Sequence, residues 1–288
     1  MSDVLETCDY YVDTQVWSID VSIDARRWLS NFTADELPYA EDLLTAFTFI
    51  NAKMSKAILR SCIERLSKVY IPTSGRQRAL DWKAFLSEAI FTTIDIDDPN
   101  LTASGPQICR WARYHLGIPE NQFLTKTAVL GRIASGKASC VILLDDIVGS
   151  GDQVIESWNS EVMVSGSLMS FRSISNDKKI PITYVPLIAT DYGLTQIEAQ
   201  CAGLAVYPGN VIDSSYSALS EDSAVWSPQN KAGALNFLEV TSKRAGIDNW
   251  KGYNNLGLTL AFSHSAPDST LPIFSWKKNG WKPLIRWE

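Results

Sequence analysis

Histidine is scarce in this sequence, and the spacing expected of a metal cage is missing. The 288 residues include two histidines, His115 and His264, and five scattered cysteines, Cys8, Cys62, Cys109, Cys140 and Cys201. No Cys-x-x-Cys pair occurs, which argues against both a zinc site and a disulfide framework. Positive charge is not in excess either: 26 Lys and Arg stand against 32 Asp and Glu, for a net charge of −6. Proteins that grip nucleic acid with their whole surface are normally basic, so the charge does not favour direct nucleic-acid binding. No stretch reaches the roughly 18 consecutive apolar residues that a membrane-spanning helix needs. The opening Met-Ser-Asp-Val-Leu-Glu is acidic and lacks the apolar segment of a secretory signal. These absences lead to the expectation of a cytoplasmic globular protein without a membrane partner. Its 45% hydrophobic and 20% charged residues are ordinary for that class.

Residues 1–85 read as a helical region. Thr33 and Glu36 have capping-box spacing. Leu43, Leu44, Phe47, Ile50 and Met54 recur at helical intervals, as do Ile58, Leu59, Cys62, Leu66 and Val69, until Pro72, Ser74 and Gly75 break the pattern. From residue 86 short strands and helices alternate. Residues 90–96, 140–144, 182–188 and 204–207 have strand character, and residues 108–116, 154–158 and 195–202 have helical character. Such alternation predicts an α/β fold with a mostly parallel sheet flanked by helices. A helix over 229–245 and a strand over 256–262 follow. The chain closes on an aromatic, proline-punctuated tail with Phe274, Trp276, Trp281 and Trp287, too apolar to be disordered.

The chemistry concentrates in residues 141–153, Val-Ile-Leu-Leu-Asp-Asp-Ile-Val-Gly-Ser-Gly-Asp-Gln. An unbroken apolar run is the mark of a strand buried on both faces. Asp145 and Asp146 stand at the carboxyl end of that run, where open α/β sheets place their ligands. Adjacent strand residues face opposite ways, so the two carboxylates diverge. Gly149, Ser150 and Gly151 give a tight turn into a helix, and a glycine-rich approach to a helix N-terminus favours an anion. A phosphate at the helix start, with a diol or magnesium ion at the carboxylates, matches the two ends of a ribose 5-phosphate.

Residues 141–153 resemble the signature of the type I phosphoribosyltransferases, which bind 5-phosphoribosyl 1-diphosphate. The resemblance implies that residues 86–288 form the phosphoribosyltransferase-like domain. It implies that Asp145 and Asp146 are the catalytic pair, contacting the ribose 2′ and 3′ hydroxyls. Gly149, Ser150, Gly151, Asp152 and Gln153 would wrap the 5′-phosphate. Mg2+ would bridge diphosphate and ribose oxygens, reaching Asp145 and Asp146 only through the ligand. Displacement at the anomeric carbon demands positioning and charge stabilisation more than a strong nucleophile. Two positions depart from the pattern. Purine-salvage members carry an acid where this chain has Gly149, and the last loop residue, usually Thr, is Gln153. The family's second loop, which holds diphosphate, is matched best by Thr102-Ala-Ser104-Gly105. The runner-up is Thr73-Ser-Gly-Arg76, with Arg76 and Arg78 available to neutralise phosphate.

Trp28-Leu-Ser-Asn-Phe32, the Gly-Ser-Gly-Asp-Gln loop and the tail Leu271-Pro-Ile-Phe-Ser-Trp276 together resemble the phosphoribosyltransferase-like proteins of bacterial conflict and anti-phage operons. Some of these accompany retron reverse transcriptases. The implied function is an effector that binds 5-phosphoribosyl 1-diphosphate or a nucleotide with Mg2+, with a reverse transcriptase or other defence-system protein as partner. The alternatives are a catalytically weak nucleotide sensor and a scaffold that docks on such a partner. Of the remaining residues, Phe274, Trp276 and Trp281 suit core packing better than a base-stacking hood. His264 and Ser265 are adjacent and cannot form a catalytic dyad with each other. Asp191 either lines the pocket or caps a helix.

Overall fold

The computed structural model describes residues 3–94, 105–178 and 180–287. The chain opens with α1 (Asp3–Asp13), β1 (Ser22–Ile23), α2 (Ala25–Leu29), α3 (Leu37–Ala46) and β2 (Thr48–Ile50). Helices α4 (Ala52–Tyr70) and α5 (Gly75–Glu88) lead into β3 (Ile90–Thr92), α6 (Gly105–Leu116), α7 (Lys126–Ala134) and β4 (Val141–Val148). Then come α8 (Asp152–Asn159), a hairpin of β5 (Val162–Val164) and β6 (Ser167–Met169), α9 (Phe171–Lys178) and β7 (Ile182–Thr190). After α10 (Asp191–Gln200), β8 (Leu204–Val206) and β9 (Asn210–Ile212), the chain ends with α11 (Ala234–Ala245), β10 (Leu260–Phe262) and β11 (Ile285–Arg286).

Two compact units result. One comprises residues 53–211; the other joins residues 1–52 to residues 212–288. This division differs from a break at residue 85. Helical periodicity shows that α4 buries a face, but not which core receives it. Within the 53–211 unit, α4 lies against the sheet region: Tyr70 hydroxyl bonds Thr183 Oγ1, and Arg65 donates to the Pro208 carbonyl.

The larger unit is α/β, with a mostly parallel sheet flanked by helices, as the alternation predicts. Strands β3, β4, β7 and β8 lie in that order with parallel pairing, and β9 pairs with β7. Every residue of β7 is buried, and in β4 only Ile147 is partly exposed. Val141, Leu143 and Tyr184 join Leu130, Trp158, Phe171 and Ile197 from α7 to α10 in one core. By strand alternation Ile142 and Leu144 point to the opposite face.

The other unit is built from both ends of the chain. Strand β2 pairs in parallel with β10, and β1 pairs antiparallel with β11. The indole N–H groups of Trp28 and Trp281 both donate to the Ile273 carbonyl, at 3.0 and 3.1 Å. Phe274 is fully buried, its ring centre 5.6 Å from Trp28 and 4.9 Å from Phe47. Phe274 and Trp281 therefore pack in a core, with Trp276 partly buried against it. The helical spacing that links Leu43 to Met54 is misleading in one place. Helix α3 stops at Ala46, and residues 48–50 form a strand whose partner lies some two hundred residues away, a pairing that local periodicity does not encode. The 256–262 strand narrows to Leu260–Phe262. Half of the capping box is present: Glu36 accepts the Thr33 N–H at 2.9 Å, while α3 itself begins at Leu37. Among the described residues no helix is long and apolar enough to cross a membrane.

Replacing Phe274 with Ala should lower unfolding stability by about 3–5 kcal/mol, read from urea denaturation, because a fully buried aromatic leaves a cavity. Arg244 grips Glu36 through two bonds of 2.6 and 2.8 Å. Its hydrogen bonds hold the Glu36 carboxyl below its ordinary value of 4.5, against the opposing effect of burial. The stabilisation is then complete above 4.5 and is lost as pH falls through the lower folded value. The stability difference between wild type and Glu36→Gln should accordingly be present at neutral pH and shrink in strong acid. A difference that grows on acidification would contradict the assignment.

Candidate ligand site at the carboxyl end of β4

The sequence pattern places Asp145 and Asp146 at a strand end, but the strand continues past them to Val148. The reason is apolar pairing: Ile147 and Val148 extend the ladder against Ile188 and Ala189. The register pairs Asp145 with Pro186 and Ile147 with Ile188 but passes over Asp146. At this point the N–H groups of Asp146 and Ile147 donate to carboxylates instead, at 2.9 Å to Asp145 Oδ1 and 2.8 Å to Asp146 Oδ1. Both acids are 4% exposed. The Tyr184 hydroxyl donates to Asp145 Oδ2 at 2.7 Å. Burial, followed by the charge of Asp146, pushes the Asp145 carboxyl well above the ordinary carboxylate range despite the Tyr184 bond. Burial and the neighbouring carboxylates push the Tyr184 hydroxyl up as well.

Beyond Val148 the turn forms as the glycines dictate. Gly151 has φ +86°, and a Cβ there would sit 2.9 Å from the Gly193 carbonyl oxygen. Helix α8 starts at once, its first intrahelical bond running from Ile155 N–H to Gly151 oxygen at 3.0 Å. The N–H groups of Asp152, Gln153 and Val154 precede that bond, so α8 presents the donors of a helix N-terminus at the loop. Ser150 is buried and donates to Asp152 Oδ2 at 2.9 Å, while the Asp152 N–H reaches Ser150 Oγ at 3.3 Å. Asp152 and Gln153 are exposed.

A second helix start abuts this loop. The Thr190 hydroxyl at the end of β7 donates to the Gly149 carbonyl at 2.5 Å and accepts the Gly193 N–H at 2.9 Å. Thr190, rather than Asp191, is therefore the cap of α10; Asp191 accepts the N–H of its neighbour Tyr192. A Cβ on Gly193 would collide with the Gly149 carbonyl oxygen and with Val148. Sequence reasoning missed Tyr184, Thr190 and Gly193. The signals were present but weak: a phenol and two threonines in an otherwise apolar strand, and a glycine in a helix's first turn.

Of the second-loop candidates, Ser104 lies outside the described residues. Gly105 is buried at the start of α6, where a Cβ would approach Thr93 Cγ2 to 2.7 Å, so the end of β3 and the start of α6 meet closely. Strand β3 is the neighbour of β4, which puts this junction on the same edge of the sheet. The runner-up segment serves α5 instead. Thr73 donates to Asp81 at 2.7 Å, and Arg78 donates to the Thr73 carbonyl at 2.6 Å.

This site stands on the parallel sheet of a phosphoribosyltransferase-like protein, a class that the family comparison shows. The PRTase-CE family model matches residues 25–286, and the chain belongs to that family. The match spans parts of both compact units, so the segments from the two chain ends belong to what the family model describes. A comparison with curated proteins finds no match.

Gly193→Ala should displace the loop at Gly149 and lower stability by about 1–3 kcal/mol, the usual result of overpacking a tight contact. Thermal unfolding measures it, and an unchanged melting temperature would show that the α10 start is free to move away.

Proposed function

We propose that this protein binds a ribose-phosphate ligand, 5-phosphoribosyl 1-diphosphate or a nucleotide, together with Mg2+. We further propose that it serves as a cytoplasmic effector in a bacterial anti-phage system such as a retron. The observation that carries the ligand reading is the Gly149–Gly151 turn into α8, with Gly151 held left-handed and the α8 N-terminus open to an anion. In this reading Gly149, Ser150, Gly151, Asp152 and Gln153 surround the 5′-phosphate, and Gly105 belongs to the neighbouring loop toward the diphosphate. The donor set suits a hard cation: carboxylate oxygens are Mg2+ ligands by chemistry. Mg2+ would supply charge neutralisation at the leaving diphosphate. The defence assignment rests on the resemblance to conflict-operon proteins carried by residues 28–32, the Gly-Ser-Gly-Asp-Gln loop and the tail at residues 271–276, with a reverse transcriptase or another defence protein as partner.

A second reading, a sensor that binds without turnover, is favoured by a specific bond. The Ser150 hydroxyl is engaged by the Asp152 carboxylate, so a negative charge already stands where phosphate would arrive.

Thermal shift with 5-phosphoribosyl 1-diphosphate and Mg2+ tests both readings. The wild type should gain melting temperature and the Asp145→Ala/Asp146→Ala double variant should not. Diphosphate release by the wild type marks the enzyme; ligand-dependent stabilisation without release marks the sensor. No stabilisation of the wild type by 5-phosphoribosyl 1-diphosphate or by a nucleotide would remove the ribose-phosphate proposal.

A further inference from the structure

We infer that Asp145 is a positioning residue rather than a ligand contact, and that Tyr184 is the strut that holds it. The inference rests on the ribose-phosphate reading and sharpens it, because it removes Asp145 from the groups that touch the ligand. Asp145 lies on the sheet face that carries Val141, Leu143 and Tyr184, the face closed by the core of α7 to α10. It is 4% exposed, and both of its oxygens have partners inside the protein: Tyr184 hydroxyl on Oδ2 and Asp146 N–H on Oδ1. Each oxygen could accept a second hydrogen bond, but burial on the core-facing side of the sheet leaves a sugar hydroxyl little access to it. What the carboxylate does instead is fix the peptide between Asp145 and Asp146, where the β4–β7 register passes over Asp146. The Ile147 N–H is fixed by Asp146 in the same way, so the chain enters the glycine turn in a set direction. Strand β7 holds the far end of the segment as well, through Thr190 on the Gly149 carbonyl. Two hydroxyls from one strand thus bracket residues 145–149.

Replacement by an isosteric amide, Asp145→Asn, separates positioning from contact. The substituted side chain would retain an oxygen for the Asp146 N–H and an amide able to bond the Tyr184 oxygen, but it would lose the charge. Calorimetric titration of Asp145→Asn with 5-phosphoribosyl 1-diphosphate and Mg2+ should therefore give an affinity within about threefold of wild type, as expected for a retained neutral hydrogen bond. Asp145→Ala and Tyr184→Phe should weaken binding by about tenfold or more, since each leaves a buried polar group unmatched. Hydrogen exchange on the ligand-free proteins reads the positioning directly. In Asp145→Ala and Tyr184→Phe the amides of residues 146–151 should exchange at least about tenfold faster while those of α4 are unchanged. In Asp145→Asn they should match wild type. Loss of binding in Asp145→Asn with wild-type exchange would overturn the inference, because the charge would then be touching the ligand. Unaltered exchange in Tyr184→Phe would remove the strut. Should wild type bind no ribose phosphate, the ligand proposal fails on its own, and the exchange comparison still decides the role of Asp145.

Discussion

The ladder between β4 and β7 sets the position of everything that faces the candidate site. Each strand is buried nearly throughout, and their pairing runs from Val141 with Ile182 to Val148 with Ala189. Burying one Val, Leu or Ile side chain stabilises by about 1.5–3 kcal/mol, so the run as a whole outweighs what is lost by placing two acids inside it. An unmatched polar group there costs about 1–3 kcal/mol, and the Tyr184 bond together with the neighbouring backbone N–H removes most of that penalty for Asp145. The strand can therefore carry acids through its interior and still deliver the glycine turn at a fixed point.

From that point two helix starts converge. Helix α8 follows directly after Gly151, and α10 is drawn against the same loop by Thr190 and by the missing side chain of Gly193. A helix N-terminus acts as roughly half a positive charge, with an effect that fades within its first turn. Close packing of the α10 start on the loop thus matters to the electrostatics as well as to the shape. The segments drawn from the two chain ends follow a different logic. Residues 1–52 and 212–288 each lack a core of their own. Trp28 and Trp281 sharing the Ile273 carbonyl, and Arg244 gripping Glu36, show how the two halves complete one another.

How much of this was legible in the sequence follows from which interactions are local. The buried strand, the glycine turn and the helix after it are encoded within one short run, residues 141–153, and the parallel sheet follows from the strand–helix alternation. The extent of β4 was not legible, because Ile147 and Val148 become strand by pairing with Ile188 and Ala189, far along the chain. Strand β2 was hidden for the same reason, its Ile50 falling by chance at a helical interval from Phe47 at the end of α3. The aromatic tail could be read as packing over something, but the something was the N-terminal helices at the other end of the chain. Tyr184 was invisible as a site residue because a tyrosine in a strand says nothing of its partner until the register is known.

Holding a ribose phosphate and transferring its ribosyl group make different demands on this loop. Holding needs a site that attracts phosphate and fixes its oxygens; transfer also needs charge stabilisation that strengthens as diphosphate departs. The Ser150–Asp152 bond bears on both. Asp152 lies in the first turn of α8, where a carboxylate is itself favoured by the helix dipole, and it occupies the hydroxyl that would otherwise donate to phosphate. In the proposed reading a phosphate would compete for the Ser150 hydroxyl with Asp152, whose side chain is exposed to solvent. That exchange of one anion for another would lower the net gain on binding without closing the site. Such competition is a demand that a reversible sensor would tolerate and that a transferase would have to meet on every turnover.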